Sequence, residues 1–239
     1  MLRDYEEAVA PANKGQRLVF ANLQKRLFSS IPAFYRTLSA HAASFDKHFA
    51  GRLDKGFAAA EEPSADSETE TAETDSEFDR ADAALEAEEL EGTTAASATF
   101  SKPSERARAA LQAMLDLASR HRGTPDARVL ALLEWIRRNQ CPGIAEATTD
   151  KRWGPRKLLI FTEYTDTKSW LRRLLQRAFA GTERGDERIL EIHGALSDEK
   201  REEIQRAFNA PPADHPVRVL LATDAAREGI NLQGACADL

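Results

Sequence analysis

Three apolar segments, each running straight into a polar cluster, constrain the fold of this chain more than any other feature. They read KLLIFTEYT (157–165), ILEIHGALSDEKR (189–201) and VRVLLATDAAREGINLQ (217–233). LLIF (158–161) is a continuous apolar run that suits a strand buried on both faces of a parallel sheet. A second strand is expected over 188–192 and a third, VRVLLA, over 217–222. Helical patterns lie between them. Trp170, Leu171, Leu174, Leu175, Ala178 and Phe179 form one inward face, with Asp166 as cap. Ile204, Ala207 and Phe208 form another, in a helix that starts at Ser197 and stops at Pro211-Pro212. This alternation predicts a parallel α/β sheet with right-handed crossovers. Ligands of such sheets gather at the carboxyl ends of the strands, and all three polar clusters fall there.

Each cluster has a chemistry and a plainer alternative. Thr162-Glu163-Tyr164-Thr165 offers hydroxyls and backbone amides that bind a phosphate without reading sequence; a capped turn uses the same residues. His193-Gly194 is followed eight residues later by Arg201. The glycine permits a tight turn, and the arginine on the next helix can brace that turn or reach a phosphate. The third cluster, ATDAAREGINL (222–232), is the most specific. An Asp-capped short helix with a glycine C-cap is its alternative.

In order and spacing, these clusters resemble the second RecA-like lobe of superfamily two helicases, most closely the Swi/Snf-type translocases. The first stands in the place of motif IV and the third in that of motif V. The resemblance implies an α/β fold, an incomplete parallel-sheet RecA-like helicase C-terminal lobe over 151–239, belonging to an ATP-dependent DNA translocase. By the same resemblance Thr162, Tyr164, His193, Arg201 and Thr223 would meet nucleic acid, and Asp224, Glu228 and Gly229 would face the nucleotide. ATP and Mg are the implied cofactors, with their principal site on an N-terminal ATPase lobe that this sequence lacks. It holds neither a GxxxxGK[ST] phosphate loop nor a DExH-like acidic motif. Nor does it hold the QxxGRxxR-like motif VI, whose arginine finger is worth roughly three to five powers of ten in NTP hydrolysis. The chain is therefore expected to be a piece of a longer motor, truncated before motif VI and unable to hydrolyse ATP alone. The implied partners are double-stranded DNA, the missing ATPase lobe, and RNA polymerase or a defence complex. The alternative is a non-catalytic module that binds nucleic acid or protein with a lobe of the same shape.

Upstream, residues 1–60 are expected to form a helical inter-lobe region. Leu18, Phe20, Leu23, Leu27, Phe28, Ile31, Phe34, Tyr35 and Leu38 recur at three- and four-residue spacings, and Pro32 marks a break or a new helix start. The stretch LVFANLQKRLFSS resembles the helical segment before the second lobe in bacterial relatives of the RNA-polymerase-associated proteins of that type. Residues 61–100 change character. Between Glu61 and Glu91 stand fourteen acidic residues and one basic one, Arg80, while the rest of the chain carries a net +7. Dense like charge and few large apolar groups predict a disordered acidic linker with a transient helix over 79–91. Residues 101–150 should hold two helices leading into the lobe. Pro103-Ser104 starts the first, with Ala107, Leu111, Met114 and Ala118 inward. Thr124 caps the second, with Pro125 first and Val129, Leu132, Leu133 and Ile136 inward.

Cys141 and Cys236 are too few for a disulfide framework or a zinc site. No apolar run approaches the length of a membrane span and no secretory pattern opens the chain, so a cytoplasmic protein is expected. Three parallel strands would leave an exposed edge that invites pairing.

Overall fold

The computed structural model describes residues 1–46, 72–144, 150–192, 196–223 and 232, with backbone alone at 72–83, 85 and 198. The chain divides into two compact units, Met1–Thr74 with Ala84–Gly123, and Asp75–Ala83 with Thr124–Leu239.

The first unit is helical. Helix α1 spans Leu2–Val9, α2 Lys14–Ser29, α3 Ile31–Phe45, α4 Ala72–Ser97, of which Asp75–Ala83 group with the second unit, and α5 Glu105–His121. Their ends follow capping chemistry. Asn13 accepts from the Gln16 amide, Ser30 from Ala33 with Pro32 in the first turn of α3, and Ser104 from Ala107. Tyr5, Phe20, Leu23, Phe34, Leu38, Leu111 and Met114 share one core. The apolar stripe expected on α2 is corrected in part. Leu18 and Phe28 face solvent, 58% and 66% exposed, while Val19 and Arg26 point inward. Mixed three- and four-residue spacing fits two faces of one helix, and tertiary packing chooses between them.

The expected linker is corrected too. Residues 72–97 are helical, and 84–100 belong to the helical unit; residues 47–71 lie outside the described residues. The charge of this run finds a receptor. Arg26, whose side chain is 5% exposed, meets Glu86 at 3.3 Å and Glu89 at 3.1 Å. Asn22 donates to Thr93 Oγ1 and Gln16 to the Thr99 carbonyl. A buried guanidinium without such carboxylates would cost several kcal/mol. Deeper still, His41 sits between Tyr5 and Ser97, with Tyr5 Oη 2.6 Å from Nε2 and Ser97 Oγ 2.7 Å from Nδ1. Ser97 spends its proton on the Thr93 carbonyl, so Nδ1–H donates to Ser97 and Nε2 accepts from the tyrosine hydroxyl. The ring is neutral, and burial holds its pKa down to about 4.

The second unit is α/β. Helix α6 spans Ala127–Asn139, β1 Leu158–Thr162, α7 Thr165–Phe179, β2 Ile189–Ile192, α8 Asp198–Asn209 and β3 Val219–Thr223. The strands are parallel in the order β1-β3-β2. Leu158, Val219 and Leu221 meet α6 and α7 on one face. Leu159, Leu220, Ala222 and Ile192 meet Ile204 and Phe208 of α8 on the other. Central β3 is buried throughout. Edge strand β1 is not, because Phe161 is 38% exposed, which corrects the reading of a strand covered on both faces. The boundary between units falls at Gly123, so α5 joins the helical unit and α6 alone leads into the lobe. The cap of α6 is Asp126, which accepts from Val129, in place of Thr124. Asp166 sits inside the first turn of α7, whose N-cap position is Tyr164.

The amino edge of the sheet is held by buried cations. Lys157 Nζ donates to the Phe208 and Ala210 carbonyls, closing the C-terminus of α8. Arg218 donates to the carbonyls of Gly154, Pro212 and His215, and Arg188 to those of Glu183 and Pro216. These groups satisfy loop and helix-end carbonyls that no strand can reach. Cys141 is buried nearby, and burial pushes its thiol pKa up, as fits an inert core residue. Among the described residues no helix is long and apolar enough to cross a membrane.

Candidate nucleic-acid interface

Each strand of the lobe delivers a polar residue to the carboxyl edge because the apolar run stops where the sheet stops. Thr162 ends β1 and Thr223 ends β3, and the two are direct partners in the parallel register. Residues 61 apart in sequence thus stand one strand spacing apart, about 4.8 Å. Both are nearly covered, and Thr162 Oγ1 leans at 3.4 Å on the Tyr164 carbonyl. On the other side of β3, Ile192 pairs with Ala222, so β2 ends at the same edge.

Two helices start from this edge. Tyr164 occupies the N-cap position of α7, and its carbonyl accepts from the Lys168 amide. Tyr164 is itself buried. Ser197 caps α8 and accepts from the Lys200 amide. Arg201, half-buried, lies in the first turn, with its amide on the Ser197 carbonyl. The N-termini of α7 and α8, with their positive dipole ends, are of the kind that suits phosphate oxygens.

The structure therefore brings Thr162 and Thr223 together and sets Tyr164 and Arg201 at the helix starts that follow β1 and β2. His193, Asp224, Glu228 and Gly229 lie outside the described residues. Sequence reasoning missed an ion group just below the edge. Glu191 of β2 lies between Lys168, fully buried on α7, at 3.3 Å and Arg172 at 2.8 Å. Its signal was Glu191 interrupting ILEI, a carboxylate inside a strand that needs a partner.

Among the described residues no group of three His, Cys, Asp or Glu side chains could hold a metal ion. The described part of the edge thus does not fit Mg-ATP by itself.

No curated protein and no solved structure matches the chain. Residues 145–237, less than half of its length, match the family model of the helicase conserved C-terminal domain. Together with the parallel sheet and its polar carboxyl edge, that match supports reading this segment as the C-terminal lobe of a superfamily two helicase.

Proposed function

We propose that the α/β unit is the nucleic-acid-gripping lobe of an ATP-dependent DNA translocase of Swi/Snf type. In this reading Thr162 and the backbone around Tyr164 serve as motif IV, and Thr223 opens motif V. His193 and Arg201 brush the phosphate backbone. Asp224, Glu228 and Gly229 face a nucleotide whose main binding surface, with its Mg, belongs to an N-terminal ATPase lobe. ATP bound between the lobes would supply the closing energy. This chain's residues would supply the grip that closure moves along one strand of a DNA duplex. RNA polymerase or a phage-defence assembly would be the setting in which such a motor works.

The observation that carries the reading is the in-register pairing of Thr162 with Thr223 at the edge from which α7 and α8 start. Motif IV and motif V must act on one backbone, and adjacent strand ends support that reading. An edge of this kind contacts phosphates and not base edges, so binding should be sequence-tolerant and salt-dependent.

Fluorescence anisotropy with a labelled duplex tests it. Arg201→Gln should weaken binding about tenfold and make the dependence of log K on log salt shallower by about 0.9, one phosphate contact. Thr162→Val, which keeps the side-chain shape, should weaken binding by a factor of about five, one hydrogen bond. Wild-type affinity and slope in both variants would rule out this edge as the grip.

A further inference from the structure

Helix α7 buries one face against the sheet and turns another to solvent. At 100° per residue, Ser169, Arg173, Gln176 and Arg177 fall within about 100° of arc. Ser169 is half-buried and the other three are exposed. Other exposed arginines of this unit are matched: Arg128, Arg138, Arg152, Arg172 and Arg184 each have a carboxylate within 3.1 Å. Arg173 and Arg177 have none among the described residues. The one acidic residue of the helix, Asp166, lies in its first turn, about 10 Å before Arg173 along the axis. Like charges four residues apart repel each other, so this pair of guanidinium groups gains from an anion brought in from outside.

We infer that this face of α7 takes the phosphate backbone of a nucleic-acid duplex, on the strand opposite the one held at the carboxyl edge. The inference rests on the reading of that edge given above and extends it from one strand to two. The chemistry of the face selects the anion. No large apolar residue of α7 is exposed, so an acidic helix of a protein would find charge here but no anchor for its apolar seam. A phosphate backbone needs only charge and donors, which two guanidinium forks, the Gln176 amide and the Ser169 hydroxyl supply. Placement agrees. Helix α7 starts at the carboxyl edge, and Arg173 and Arg177 lie about 12 and 18 Å along its axis from Thr165. The major groove holds the two backbones of a duplex about 12 Å apart, so a duplex with one strand on the edge sets its other strand at this ridge. The ridge is also held in place. Buried Lys168 and the flanking Arg172 both meet Glu191 of β2, which ties α7 to the sheet.

The test uses the full chain with a labelled duplex of about 20 base pairs, two helical turns, and with one of its strands alone. Anisotropy is read at several salt concentrations. Arg173→Gln with Arg177→Gln should weaken duplex binding about tenfold and make the salt slope shallower by about 1.8, two phosphate contacts. Binding of the single strand should stay as in the wild type. Arg173→Lys with Arg177→Lys should restore the slope, because counterion release follows charge. Arg128→Gln with Arg152→Gln changes the net charge equally elsewhere on the unit and should leave the duplex affinity unchanged. Both ridge residues are exposed, so far-UV circular dichroism and the tryptophan spectrum should not change. Wild-type duplex affinity in the first variant, an equal loss on the single strand, or an equal loss in the Arg128 and Arg152 variant would overturn the inference. Arg201→Gln separates it from the reading of the edge. That variant should weaken duplex and single strand alike; if it weakens neither while the ridge variant still loses the duplex, the edge reading fails and α7 stands as a duplex surface.

Discussion

Lowering the pH from 7 to about 4.5 should destabilise the helical unit by about 2–3 kcal/mol through His41 alone. The ring is enclosed by Tyr5, Ser97 and the aromatic groups of Phe45 and Phe100, with Phe45 stacked on it at 5.3 Å. Burial holds its folded pKa at about 4, against about 6.5 in an unfolded chain. Above 6.5 the ring is neutral in both states and contributes no pH dependence. Between 6.5 and 4 the unfolded chain takes up a proton that the folded one refuses, so stability falls with pH through that window. At 4.5 the difference amounts to nearly two pKa units of linkage, at about 1.4 kcal/mol each. Urea unfolding followed by far-UV circular dichroism, at several pH values, compares the wild type with His41→Gln. The variant costs some stability at pH 7 but should lose this part of the slope, while carboxylate contributions cancel in the comparison. Trp135, Trp153 and Trp170 all lie in the α/β unit, so tryptophan fluorescence should show no such difference. Equal slopes in the two proteins, or a His41 ring signal titrating near 6.5 in NMR, would refute the reasoning.

Other expectations follow from single contacts. Lys157→Met keeps the buried stem but leaves the Phe208 and Ala210 carbonyls without their ammonium; it should destabilise the α/β unit by about 1–3 kcal/mol, read by tryptophan fluorescence in urea. Leu221→Ala, in the middle of the fully buried β3, should cost about 2–5 kcal/mol in the same assay. A chain starting at Thr124 should keep the tryptophan spectrum of the α/β unit but, lacking the residues 75–83 that group with it, lose part of its stability. One starting at Ser104 would expose the Leu111, Met114 and Leu115 face of α5 and should aggregate more readily, as light scattering would show.

The sequence made the α/β unit legible because strand and helix each announce themselves there by period. LLIF, ILEI and VLLAT stop at polar residues, and Ser197 and Ser104 cap helices where a hydroxyl precedes an apolar stripe. Bounds slipped where backbone geometry decides, as with Asp126 in place of Thr124 as cap and β3 starting at Val219 in place of Val217. Helix α4 was illegible for a different reason. Counting charge over Glu61–Glu91 predicts self-repulsion, but a partner sixty residues away, Arg26, draws Glu86 inward and pairs with Glu89 as well. Helix α1 was not singled out within the helical region expected over 1–60, because eight residues carry too little pattern; its anchor, Tyr5, is visible only once His41 is seen beside it. Of the candidate site, Thr162, Thr223 and Arg201 were readable as polar residues at strand and helix ends. The pairing of Thr162 with Thr223 was not, since strand order β1-β3-β2 is set by crossovers and not by local sequence.

Hydrogen exchange of the full chain, with and without a short DNA duplex, tests the central claim most directly. If the carboxyl edge of the sheet grips the phosphate backbone, protection should rise at 162–166 and 197–201 and extend through 193–195 and 223–229. The amino edge around 154–157 should be unchanged. Protection centred on the amino edge or on the helical unit, with the carboxyl edge exchanging as in the free protein, would contradict the account.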